Sequence, residues 1–250
     1  MTYANGVSGV SGVDGVDGEG ARRLAVVTAG LSRPSSTRLL ADRLTEAVRR
    51  HVAGDVEVRV VELRDLANDI AHNMLTGFPA PDLRDAVDAV TGADGLIAVT
   101  PVFSGSYSGL FKSFFDVIDK DALAGTPVLA AATGGTARHS LVLEHAMRPL
   151  FAYLRAIVVP TAVYAASEDW GATATRTGDR TGHGIDDSVD GTLAARIDRA
   201  GAELAALMNA RPIGAVGAAG EAGATGVGDE TDDDAVVPFA EQLAALTVRG

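Results

Sequence analysis

The stretch GLIAVTP, residues 95–101, is apolar without interruption until its closing Thr-Pro. So short and so continuous a run reads as a strand covered on both faces, because a strand with one wet face would alternate. Working outward, four further stretches read as strands, several of them equally continuous: LAVVTA (24–29), VEVRVVEL (56–63), PVLAAAT (127–133) and IVVPTAVYA (157–165). Between them, apolar residues recur at helical spacing over 37–51, 81–91, 109–118 and 141–155, and a last helix is expected at 192–209. Five β-α units in alternation predict a five-stranded parallel sheet with helices on both faces and right-handed crossovers. That is a doubly wound α/β domain, expected over residues 22–212.

Composition narrows the chemistry. With 250 residues and 47% hydrophobic content the chain can bury one sizeable core. A formal charge of -12 repels a phosphate-rich polymer, so nucleic acid is not an expected partner. The cysteine count is 0, which rules out disulfides, thiolate metal sites and a cysteine nucleophile. Redox chemistry would therefore have to come from a bound cofactor, and no metal is expected. The first residues lack a basic start and an apolar stretch, and no run approaches the ~18 apolar residues of a membrane span. The default expectation is a cytoplasmic protein that does not use a membrane.

The ends differ from the middle. Residues 1–21 carry the near-repeat GVSGVSGVDGVDGEG, too poor in apolar side chains to offset its ordering entropy, and are expected to be a disordered tail. Residues 213–234 combine glycine with a closing acid run and read as a flexible linker. Over 235–250 a short helix is expected from apolar periodicity at Phe239, Leu243, Leu246 and Val248. The Gly-, Thr- and Asp-rich stretch 166–191 reads as a mobile surface loop.

In an open parallel sheet the ligand crevice lies beyond the carboxyl ends of the strands, where the strand order reverses. After the first strand comes GLSRPSSTRLL (30–40), with the hydroxyls of Ser32, Ser35, Ser36 and Thr37 at a helix start and Arg38 close by. Such a turn is an anion cradle. Without the lysine of a triphosphate loop or the paired glycines of a pyrophosphate loop, it suits a terminal monophosphate. The same hydroxyls would also serve as an ordinary helix cap. After the third strand comes TPVFSGSYSGLFKSFFDVID (100–119), where Pro101 directs the chain and Phe103 or its neighbouring amides could lie along a flat ring. Phe111, Phe114 and Phe115 are spaced as core residues of the following helix. After the fourth strand comes AATGGTARH (131–139), in which Thr133, Gly134 and Gly135 could present main-chain N–H groups to a ring. His139 reads equally as a ligand to flavin or to a nucleotide phosphate and as a structural cap.

Taken together, TPVFSGSYSGLFKSFFDVID and GTPVLAAATGGTARHSLVLEHAMRPLFAYLRA resemble the NADPH-dependent FMN reductase family. Within it, the match is to the flavin reductases of two-component alkanesulfonate monooxygenase systems, and it spans about residues 23–165. The resemblance implies a flavodoxin-like fold with strand order 2-1-3-4-5, FMN and NADPH or NADH as cofactors, and delivery of reduced FMN to a flavin-dependent monooxygenase. It places phosphate binding on Ser32, Ser35, Ser36 and Thr37, ring binding on Pro101, Val102, Phe103 and Ser104, and a second turn on Thr133, Gly134 and Gly135. It also implies a homodimer or homotetramer, with Tyr107 associated with a π-bulge in a helix at the subunit interface and a candidate in flavin transfer. The two tails and the 166–191 loop depart from that pattern. Reduction of quinones or azo compounds by tightly bound FMN, and one-electron transport by a flavodoxin-like carrier, stay open beside it. Arg138 and Arg148 are candidates for the nicotinamide 2′-phosphate.

Overall fold

The computed structural model describes residues 20–170 and 192–212. The expected tail, linker and C-terminal helix lie outside the described residues, as does most of the expected 166–191 loop. The chain divides after Val216, and all described residues belong to the first part.

The elements run β1 (Arg22–Thr28), α1 (Ser36–His51), β2 (Val56–Glu62), α2 (Ala67–Thr76), α3 (Pro81–Thr91), β3 (Gly95–Phe103), β4 (Ser106–Tyr107), α4 (Gly109–Asp116), β5 (Pro127–Gly134), α5 (Arg148–Tyr153), β6 (Ile157–Val158), β7 (Val163–Ala166) and α6 (Leu193–Ala210). The sheet order is β2-β1-β3-β5-β6, with β7 also on β5 and β4 folded back on β3. Apart from the antiparallel β3–β4 pair, the pairings are parallel. With β6 and β7 as two halves of one position, this is the order 2-1-3-4-5 and a flavodoxin-like fold.

The apolar runs of β1, β3 and β5 are continuous because both faces of these strands are covered. Leu24, Val26, Ile97, Val99, Leu129 and Ala131 pack under α1 and α6 with Leu40, Leu44, Ile197 and Leu204. The intervening Ala25, Val27, Leu96, Ala98, Val128 and Ala130 face the other way, onto Leu83, Val90, Phe111, Phe115 and Phe151. On that second face Phe111, Phe115 and Phe151 form a ring cluster with centroids 4.8 to 6.4 Å apart. Each such buried side chain contributes roughly 1.5–3 kcal/mol. The core sits on both sides of the sheet, which leaves the strand ends as the open edge.

Three local expectations are corrected. The strand expected over 157–165 is two: the N–H groups of Ile157 and Val159 donate along β5, the latter to Val128 O at 2.9 Å, but the next donor in that alternation, Thr161 N–H, turns to Glu203 Oε2 at 2.7 Å. The helix expected over 141–155 begins as a π-helical turn, Leu143–Met147, and becomes α only from Arg148. Pro149, which cannot donate to the carbonyl one turn back, sits at that junction. Helix α2 was not expected at all. Its one buried residue is Ile70, so it lacks the apolar stripe from which a helix is read.

Candidate active-site cleft

The carboxyl ends of β1, β3, β5 and β7 converge on a cleft of about 450 Å³. It is lined by Ser32, Ser36, Thr37, Pro101, Val102, Phe103, Thr133, Gly134 and Gly135, and also by Gly30, Leu31, Ser167 and Trp170. The three sequence loops therefore meet in space. That volume lies within the usual range for small-molecule sites.

The β1–α1 loop is built around Ser35. Its side chain accepts from the Arg38 N–H at 3.2 Å and caps α1, whose last turn carries Arg49, Arg50 and His51 where the helix dipole favours cations. Ser35 thus does the capping that the sequence left as an alternative. Gly30 makes room for it, since a Cβ there would stand 2.1 Å from Ser35 Oγ. Thr37 is buried, and its hydroxyl bonds that of Thr133 at 2.9 Å, tying this loop to the β5 turn. The hydroxyls of Ser32 and Ser36 line the cleft and engage no described residue. The first amides of α1 have no carbonyl one turn earlier to bond. Uncommitted hydroxyls and N–H groups at a positive helix end are a donor set that fits a phosphate. Arg38 is not part of it: it pairs with Glu62 and, at 2.8 Å, with Asp42. The hydrogen bond that Arg38 donates to Asp42 holds the Arg38 pKa above its ordinary value against the opposing effect of burial.

At the end of β3 the chain reverses through Ser104 and Gly105, whose φ angles of 51° and 79° are both positive, as a two-residue hairpin of type I′ requires. Thr100 secures the base: its hydroxyl donates to Pro101 O at 3.0 Å and accepts from Ser108 N–H at 3.0 Å. Phe103 stays 47% exposed while Phe111, Phe114 and Phe115 are buried, so among these four rings it is the one open to the cleft. At the end of β5, Gly134 passes so close to Tyr164 that a Cβ would lie 2.0 Å from the phenol oxygen. That oxygen donates to Thr136 O at 2.8 Å and fixes the turn. Burial, with Asp169 nearby, pushes the Tyr164 pKa above its ordinary value.

Several candidates lie elsewhere. His139 and Arg138 are exposed on the short Ala137–His139 turn and do not line the cleft. Arg148 donates to Val159 O at 3.0 Å and Pro160 O at 2.5 Å and pairs with Glu144 at 2.7 Å, so it stitches the break between β6 and β7. Tyr107 is half-buried, 5.9 Å from the Phe111 ring centroid, and lines a separate groove of about 660 Å³ with Lys112, His145 and Tyr153. Helix α4, which follows Tyr107, is regular; the π turn is one helix later. Sequence reading missed Gly30, Leu31, Ser167 and Trp170. The strand-end rule, applied to the last strand as well as to the first, third and fourth, would have found Ser167 and Trp170. Trp170 carries the Arg43 guanidinium 4.9 Å above its ring.

Known proteins match this chain over the residues that build the cleft. Residues 22–171 match the family model described as NADPH-dependent FMN reductase. The chain is 40% identical over 148 residues to an FMN reductase (NADPH) of Pseudomonas aeruginosa, which covers 59% of this chain and 78% of that protein. It is 38% identical over 148 residues to the NADH-dependent FMN reductase SfnF of Pseudomonas fluorescens, with the same 59% and 78% coverage. Among solved structures, an oxidoreductase from Corynebacterium diphtheriae superposes with a TM-score of 0.66 and 45% identity over 75% of this chain and 97% of that one. The apo form of an NADH:FMN oxidoreductase, EmoB, does so with a TM-score of 0.60 and 28% identity over 74% and 90%. A model match over more than half the chain, joined to a strand-end cleft of this composition, places the protein in the NADPH-dependent FMN reductase family.

Proposed function

We propose that this protein reduces FMN at the expense of NADPH or NADH, and that the cleft at the strand ends is where it does so. The observation that carries the reading is the juxtaposition in one cleft of the Ser32 and Ser36 hydroxyls, which engage no described residue, with an open aromatic, Phe103, and the Thr133–Gly135 turn. Bound flavin would supply the hydride-accepting ring. The residues of this chain would hold and orient it. Ser32, Ser36 and the first amides of α1 would take the phosphate, with Ser35 and Thr37 shaping the loop from behind. A single helix end suits a monophosphate and so favours FMN over FAD. Pro101, Val102, Phe103 and Ser104 would lie along the ring, and Gly135, where a Cβ would meet nothing within 4 Å, would admit it without a side chain in the way. The exposed Phe103 leaves one side open to a nicotinamide.

In this reading reduced FMN passes to a flavin-dependent monooxygenase, and the protein works as a homodimer or homotetramer, with the Tyr107 groove as the contact between copies. Steady-state rates with NADPH and NADH, each crossed against FMN, FAD and riboflavin, test the activity. FMN-dependent oxidation of either nicotinamide is the expected result, and none with any flavin overturns it. Coupled oxygenation with a monooxygenase, and sedimentation at micromolar concentration, test the two finer statements.

A further inference from the structure

We propose that Arg64 is the positioning residue that makes this protein prefer a phosphorylated flavin, acting from behind the loop through its backbone. The inference rests on the reading of the cleft above and adds a residue that does not line it. Arg64 follows β2 on the short helical turn Leu63–Leu66, and its side chain is only 17% exposed. One guanidinium nitrogen donates to Ser32 O at 3.2 Å, the other donates to Glu62 Oε2 at 2.7 Å, and Nε lies 3.4 Å from Asp65 Oδ1. A single planar fork thus clamps the loop carbonyl to the end of the neighbouring strand. In a trans peptide the C=O and the following N–H point opposite ways, so holding Ser32 O toward Arg64 turns the Arg33 N–H away from it. That N–H engages no described residue.

The charges around the clamp balance. Arg33, Arg38 and Arg64 are interleaved with Asp42, Glu62 and Asp65 through ion pairs. The cluster is therefore not a pool of spare positive charge for a phosphate. Arg33 and Asp65 are 74% and 59% exposed, so that pair is screened and weak; Arg64 and Glu62 are the sheltered members. Loss of Arg64 would free the Ser32 carbonyl and leave an unbalanced carboxylate directly behind the phosphate loop. Both effects penalise a phosphate dianion, and neither touches riboflavin, which has the same ring without the phosphate.

The test is equilibrium binding of oxidised FMN and riboflavin, by ultrafiltration without nicotinamide, to the full chain and to Arg64→Ala and Arg64→Lys. Arg64→Ala is expected to weaken FMN about tenfold or more and riboflavin by less than about twofold. Arg64→Lys, which keeps the charge but not the fork, is expected to recover only part of the FMN loss. Equal weakening of both flavins, no weakening of either, or full recovery by lysine would each overturn the proposal. Should Arg64→Ala not fold, Arg64→Lys decides alone: a loss confined to FMN supports the clamp and an equal loss overturns it. Unmodified protein that binds both flavins equally overturns the clamp and leaves flavin reduction standing, whereas protein that binds neither overturns the functional reading itself.

Discussion

The β1–α1 loop and the β3–β4 hairpin face each other across one cleft and are built on opposite plans. The loop is held from every side: Gly30 against Ser35, Ser35 on the Arg38 amide, Thr37 on Thr133, and Ser32 O on Arg64. The hairpin is secured at its base by Thr100 and Ser108, while its tip carries an exposed Phe103 and a two-residue turn. The difference follows from what each would bind. A phosphate is recognised by donors whose positions must not drift, and rigidity is obtained by giving every supporting atom a partner. A face that must receive two flat rings in succession has to stay unfilled. Substitutions in the loop should therefore cost binding steeply, and substitutions at the hairpin tip should cost little stability and modest affinity.

Gly30→Ala should break the comparison most severely. Its Cβ would stand 2.1 Å from Ser35 Oγ and displace the cap of α1. FMN affinity should fall about a hundredfold, equivalent to roughly 3 kcal/mol, measured by flavin titration. Gly134→Ala should come next, because its Cβ would meet Tyr164 Oη at 2.0 Å while the next ring atom is 3.1 Å away. Pairing it with Tyr164→Phe should return about 1–2 kcal/mol of the lost unfolding free energy, a coupling read from a double-mutant cycle in denaturant. Thr37→Val leaves the Thr133 hydroxyl buried without its partner and should cost about 1–2 kcal/mol in the same assay. On the hairpin side, Phe103→Ala should leave the melting temperature unchanged and raise the KM for flavin by only about tenfold or less.

The smallest effect is a pH dependence. Folding raises the Tyr164 pKa above its ordinary 10.0, so the fold favours the neutral phenol. Its stabilising contribution is intact below 10.0 and is lost as pH rises through the elevated folded value. Denaturant titrations at alkaline pH should show a decline that Tyr164→Phe reduces.

Much of this architecture was legible from residue patterns. Continuous runs such as GLIAVTP report two covered faces, and the hydroxyl cluster after the first strand marks the start of α1 and one wall of the cleft. What was not legible has identifiable causes. Helix α2 buries only Ile70, so it leaves no periodicity. The division of labour among the four hydroxyls, with Ser35 and Thr37 spent on structure and Ser32 and Ser36 without a partner among the described residues, depends on where Thr133 and the helix axis lie. Arg148 is an arginine in the right neighbourhood for a phosphate, yet the break at Pro160 exposes carbonyls that claim it. The Arg64 clamp joins residues 32 apart, and no sequence spacing announces it.

The most direct measurement is an anaerobic single turnover: protein mixed with one equivalent each of FMN and NADPH, and in parallel NADH, while the oxidised-flavin absorbance is followed. Loss of that band with a matching loss of reduced nicotinamide, fast in the unmodified protein and abolished by Gly30→Ala at the same flavin concentration, is the expected result. A band that persists with both nicotinamides, or one that bleaches equally fast in Gly30→Ala, would contradict reduction of FMN in this cleft.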